Sequence, residues 1–309
     1  MENTSQAPLR KELEGELEKQ HVKMYEIGKQ LSEMMKQTLT TKTETSNTSL
    51  EKVIASNIED LQDLINNKYL TMLKDHAESF DSYGWIEPDE HLLYLTHIKA
   101  GLEIYTMLTK NDIIQVKQKF NELEDEVYKT ISLLYALICS KKSNRINTIQ
   151  KIINKSVKRP VNIAIINMNT MLCKLTDENV NTNDETIKML ISNITNVAKQ
   201  FKEELAKFKN EKIEITSLDD IVMFIKKISK LLEQNALVAM LSELIYQVDE
   251  ELYGELDIQF LADDAYRQLL LIIEDLRGEN IGRYERYAEI CANQEHAKYY
   301  TIEDCEYYK

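Results

Sequence analysis

SLDDIVMFIKKISKLLEQNALVAMLSELIYQVDEELYG, residues 217–254, decides the fold class. Ile221, Ile225, Ile228, Leu232, Leu241, Leu244, Val248 and Leu252 fall mostly three or four positions apart, the spacing that lines one face of an α-helix. Ser217 and Asp220 read as its N-terminal cap and Gly254 as its stop. A β-strand is seldom longer than about ten residues, so a run of this length is helix. The rest of the chain has the same character: 7 Gly and 3 Pro in 309 residues are far below the roughly 12% usual in proteins.

Working outward, the N-terminal region carries two columns at heptad spacing. Leu13, Ile27 and Met34 share one with Gln20, and Leu17, Met24 and Leu31 form the other. Such a narrow seam predicts a coiled-coil-like helix that meets a partner helix. The hydroxyl-rich run TLTTKTETSNTS, residues 38–49, reads as a linker, and Thr48 with Glu51 as a capping box opening a helix to about Phe80. Ser82-Tyr83-Gly84-Trp85 makes a turn, Pro88 starts a helix, and another follows from Ile113. VNIAIINM, from Val161, could be read as a strand, but with no second run to pair with it is expected to be helix. TDENVNTND, residues 176–184, is a second polar boundary; beyond it come a heptad-patterned segment through Phe208, the quoted run, and helices over 257–277 and from Ile281. Gly278 is expected at the C′ position of the first of these. These readings predict an all-α protein, an elongated or two-part helical bundle with an N-terminal coiled-coil-like helix. Its segments are 1–47, 48–176 and 177–309.

Charge is distributed unevenly. Residues 127–176 contain nine Lys and Arg and no acid, a net charge of +9 in a chain of −14. On a helical projection Lys141, Arg145, Lys151, Lys155, Lys158 and Arg159 share one arc, opposite Ile146, Ile149, Ile153 and Val157. This predicts one amphipathic helix, docked by its apolar seam, with a cationic ridge outward and an end at Arg159-Pro160. An acidic protein face suits the ridge, either of another protein or of this chain. Nucleic-acid phosphates are the alternative, although no aromatic interleaves the bases for stacking.

Motifs for chemistry are sparse. There is neither GxGxxG nor a Walker sequence, and Glu18-x-x-His21 occurs as a single E-x-x-H on a helix expected to be exposed. His91 and His97 fall on opposing faces of one helix. Asp219-Asp220 suits a first helical turn, and Asp263-Asp264 a solvated face. Trp85 is expected to anchor a helix junction, and Tyr299, Tyr300, Tyr307 and Tyr308 form an acidic, aromatic tail. Cys139, Cys173, Cys291 and Cys305 form no C-x-x-C and read as reduced thiols of an intracellular protein with no signal peptide and no membrane span. No catalytic, cofactor or metal site is expected. The expected function is a non-enzymatic assembly or protein-interaction protein. It would self-associate or dock a partner through the seam Leu13, Leu17, Met24, Ile27, Leu31 and Met34, and use the basic helix for an acidic partner.

Overall fold

Ser217 starts α10 (Leu218–Tyr246) with a reciprocal cap: its hydroxyl accepts from the Asp220 backbone N–H at 3.2 Å, and the Asp220 carboxylate accepts from the Ser217 N–H at 2.9 Å. Ile221, Ile225, Ile228, Leu232, Leu241 and Leu244 are buried. Along this helix pack α5 (Pro88–Thr109), α9 (Glu185–Lys209) and α12 (Gln259–Glu274). The computed structural model describes residues 6–41, 47–142, 144–176, 180 and 182–292, with Gln6 and Ala7 as backbone only. Among them are also α1 (Gln6–Thr38), α2 (Thr48–Asp63), a π-helical segment (Leu64–Tyr69), α3 (Leu70–Glu78), α4 (Phe80–Tyr83), α6 (Ile114–Ser140), α7 (Arg145–Ser156), α8 (Lys158–Lys174), α11 (Glu250–Leu256) and α13 (Gly278–Ala292). The protein is an all-α helical bundle, with no strand among the described residues. The Tyr299–Tyr308 tail lies outside them.

The N-terminal helix is a wall of the core rather than an arm. Leu17, Met24 and Leu31 are fully buried, Leu13, Ile27 and Met34 half-buried, and α1 packs on α6 and α3 of its own chain. The expected partner-helix seam is therefore already occupied. His21, Gly28, Ser32 and Met35 are buried beside it, so the face is wider than the heptad columns and has the breadth of a core-facing helix. Gly28 sets the approach to α3, since a Cβ there would lie 2.7 Å from Leu70 Cδ2. Burying each seam leucine contributes about 1.5–3 kcal/mol.

The polar runs tie helices together. Leu39 is buried, and Tyr105 Oη accepts from the Thr40 N–H at 3.1 Å while donating to the Thr40 carbonyl at 3.2 Å. Asn47, rather than Thr48, caps α2, accepting from the N–H groups of Ser49 and Leu50. Asn47 Nδ2 also donates to Thr186 Oγ1 at 3.1 Å, and Ser49 Oγ to Asp184, the cap of α9, at 2.9 Å. The described parts of the two expected boundaries thus meet each other, and the apolar core runs unbroken from Leu17 to Tyr284 across both.

Of the glycines singled out in the sequence, Gly84 makes the expected turn, while Gly254 and Gly278 mark differences. Gly84, at φ 72°, makes the turn before α5, where only glycine is unstrained. Gly254 lies within α11, because the Asp249 side chain caps a new helix by accepting from the Leu252 N–H, so the long run ends earlier, at Tyr246. Gly278 opens α13 instead of closing α12; a Cβ there would touch Ile138 at 3.3 Å. At the crossing of α5 with α2, a Cβ on Gly101 would lie 2.6 Å from Leu61 Cδ2, and the Gly101 carbonyl accepts from Asn57 Nδ2 at 3.1 Å.

Candidate binding surface at the α7–α8 elbow

The basic stretch does not form one rod. α6 ends at Ser140, Lys141 and Lys142 lie in the connection to α7, and the chain bends again at Val157 before α8 begins. Pro160 causes the second break differently from the expectation. It has no N–H to give the Ser156 carbonyl, but as the third residue of α8 it needs no intrahelical acceptor, so it starts a helix rather than ending one.

The six predicted cations divide into two groups. Arg145 is 8% exposed; its Nη1 donates to the Ile138 carbonyl at 2.8 Å, and Nε and Nη2 grip both oxygens of Glu285 at 3.3 and 3.2 Å. Lys142 pairs with Glu285 and Glu289 at 3.4 and 3.1 Å. The Lys141 ammonium stands 5.7 Å from the Trp85 ring centre, and partial burial lowers its pKa, helped by Arg10 and Arg145. Lys155 lies 5.4 Å from the Tyr284 ring centre and donates to its hydroxyl at 3.1 Å. Helix α13 and the Trp85 turn therefore take up Lys141, Arg145 and Lys155, which corrects the expectation of a continuous outward ridge. Lys151 is exposed on α7. Lys158 and Arg159 are exposed at the elbow, with no ion pair among the described residues.

Beside the elbow lies a groove of about 370 Å³ between α7–α8 and the loop after α9. Its apolar lining is Ile153, Val157, Val161, Phe208 and Ile213, and Lys158 and Lys209 stand at its edge. Lys209, exposed in the last turn of α9, also has no ion pair among the described residues. The carboxylate in the lining, Glu211, is engaged by Lys227. Gln150 holds the loop in place, accepting from the Ile215 N–H and donating to the Ile213 carbonyl at 3.2 Å. No protein-family model matches the chain, and no curated protein or solved structure is detectably similar to it.

Sequence reasoning found Lys158 and Arg159 but missed Lys209 and Gln150, which lie far from each other along the chain. A signal for the neutralised group did exist. Glu285 and Glu289 are one helical turn apart and offer paired carboxylates to whatever docks there.

Other expected positions also move. His21, read as surface decoration, is fully buried, as is His91. Asp219 and Asp220 lie in the first turn of α10 as expected, and Asp264 accepts from Asn167 Nδ2 at 2.8 Å. Trp85 is half-buried, its indole N–H directed at Glu87 Oε1 at 3.4 Å. Cys291 is disulfide-bonded, contrary to the expectation of reduced thiols, while Cys139 is a free thiol and Cys305 lies outside the described residues. Among the described residues no helix is long and apolar enough to cross a membrane, and no three ligating side chains are grouped to hold a metal.

Proposed function

We propose that this chain is a non-enzymatic interaction protein that holds an acidic, partly apolar segment of a protein partner in the elbow groove. The observation that carries this reading is the set Lys158, Arg159 and Lys209: three exposed cations without an ion pair among the described residues, beside an apolar lining, in a chain of net charge −14. An apolar groove edged by cations suits a segment with alternating carboxylates and aliphatic side chains, whose charge steers encounter while its apolar groups supply affinity. Nucleic acid is the second reading of the same cations. Against it stands the repulsion of a polyanion by the rest of a chain whose net charge is −14. Self-association through Leu17, Met24 and Leu31 would first require α1 to leave α6.

The test is a titration of an acidic-aliphatic peptide and of a DNA duplex at about 50 and about 300 mM salt. The wild-type protein is expected to bind the peptide and to lose roughly tenfold in affinity over that salt range. The triple variant Lys158→Glu, Arg159→Glu, Lys209→Glu is expected to bind neither. Peptide binding that survives the triple reversal, or tighter binding of the duplex than of the peptide, would remove the reading.

A further inference from the structure

Three helices each contribute one histidine to a single cluster beneath α1. The ring of His21, on α1, stacks on His76 of α3 with centres 5.9 Å apart, and the His91 ring of α5 lies 6.4 Å away. His21 Nε2 accepts the backbone N–H of Ile86 at 3.3 Å. A backbone N–H can only donate, so Nε2 carries the lone pair and Nδ1 carries the proton that it gives to the Leu17 carbonyl at 2.7 Å. The ring is thus neutral, and one of its two hydrogen bonds ties α1 to the segment between α4 and α5.

We propose that this cluster is an acid-sensitive latch: a proton on His21 Nε2 replaces the acceptor for Ile86 with a second donor, and α1 comes away from α3 and α6, uncovering its buried apolar face. The neighbours supply no counter-charge. Phe80 of α4 lies edge-on at 5.7 Å, and the ionisable group acting on His21 is His76, which opposes a proton there. On α5, His91 bonds to Tyr69 of the π-helical segment at 3.0 Å, and its Nε2 has no hydrogen-bond partner among the described residues. Glu87 and Glu90 of the α5 cap bond to backbone N–H groups of the cap, and Glu87 also accepts from Trp85. From α6, Glu126 is held by Lys23 and Lys129, and Lys141 interacts with Arg10 and Glu14. None of these carboxylates acts on His21.

Burial lowers the pKa of His21, and lowers that of His91 well below the ordinary 6.5. A histidine depressed in the folded state contributes stability that is fully present above about pH 6.5 and is lost as pH falls through its folded value. Glu87 works in the opposite direction. Burial pushes its carboxyl up to about 7, so its contribution is present below about 4.5 and is lost as pH rises through 7. Global stability therefore mixes two opposing effects, and a local measurement is needed.

Amide hydrogen exchange on the full chain, corrected for intrinsic rates, supplies it by comparing residues 17–35 with α10 at about pH 7.5 and pH 5.5. Protection of α1 is expected to fall about tenfold relative to α10 on acidification, the equivalent of one pKa unit. His21→Gln, whose carbonyl oxygen can still accept from Ile86 but does not titrate, should abolish the fall. An equal fall in α10, or an undiminished one in His21→Gln, overturns the proposal. If His21→Gln leaves α1 unprotected at pH 7.5, His76→Gln decides: it removes the stacked imidazole that opposes a proton on His21 and should shrink the wild-type fall, and an unchanged fall overturns the proposal.

Discussion

Leu31→Asp is expected to destabilise the folded chain by about 4 kcal/mol or more, without changing the oligomeric state of whatever remains folded. Leu31 is fully buried where α1 packs within its own chain. Removing the leucine costs about 2–5 kcal/mol in transfer and cavity terms, and the buried carboxylate adds a desolvation penalty. Val22, on the same helix, is 46% exposed, so Val22→Asp is the control and should stay within about 0.5 kcal/mol of wild type. Urea unfolding with sedimentation of both variants checks this. A seam that served a partner would give the reverse pattern: little loss of monomer stability from Leu31→Asp and a changed assembly state.

Asp89→Ala is expected to cost about 3 kcal/mol. Asp89 is 3% exposed in the first turn of α5, and it receives Arg277 Nε on Oδ1 at 2.9 Å and Arg277 Nη2 on Oδ2. The bidentate bond raises the guanidinium pKa further and joins the start of α5 to the connection between α12 and α13. Breaking a buried pair from one side typically costs about 3–5 kcal/mol. Arg277 keeps about a third of its side chain in water, which places the expectation at the low end. Asp89→Asn retains an acceptor for one N–H and should lose about half as much by urea unfolding. Equal losses for both substitutions would mean that the carboxylate charge, not the paired geometry, matters at this joint.

Helices and most of their starts were legible, because their signals are local. The period of α10, the Ser217–Asp220 cap and Pro88 at the first position of α5 each depend on residues within one or two turns. Burial was less legible, because it depends on which faces meet. A seam of Leu17, Met24 and Leu31 looks the same whether its partner is another chain or α6 of its own. The buried His21 and Ser32 that widen the face are polar and drop out of a count of apolar residues.

The cationic ridge was misread for a related reason. A helical projection assumes one axis, and the breaks near Lys141 and Val157 rotate the segments apart. Pro160 carries the same chemistry at a helix end and in a first turn; the folded context chooses between them. Once α7 tilts against α13, Arg145 meets Glu285, 140 residues away, while Lys158 and Arg159 stay exposed at the elbow. Lys209 joins them through the packing of α8 on α9, a contact no local pattern announces.

The measurement that bears most directly on the account is the unfolding of a chain beginning at Asn47 beside that of the full chain. If α1 is a wall of one continuous core, the shortened chain leaves the faces of α3 and α6 uncovered. It is then expected to lose its cooperative urea transition and to aggregate or bind a hydrophobic dye. A shortened chain that stays monodisperse and unfolds at the same midpoint with the same slope would contradict the account and return α1 to the role of a detachable arm.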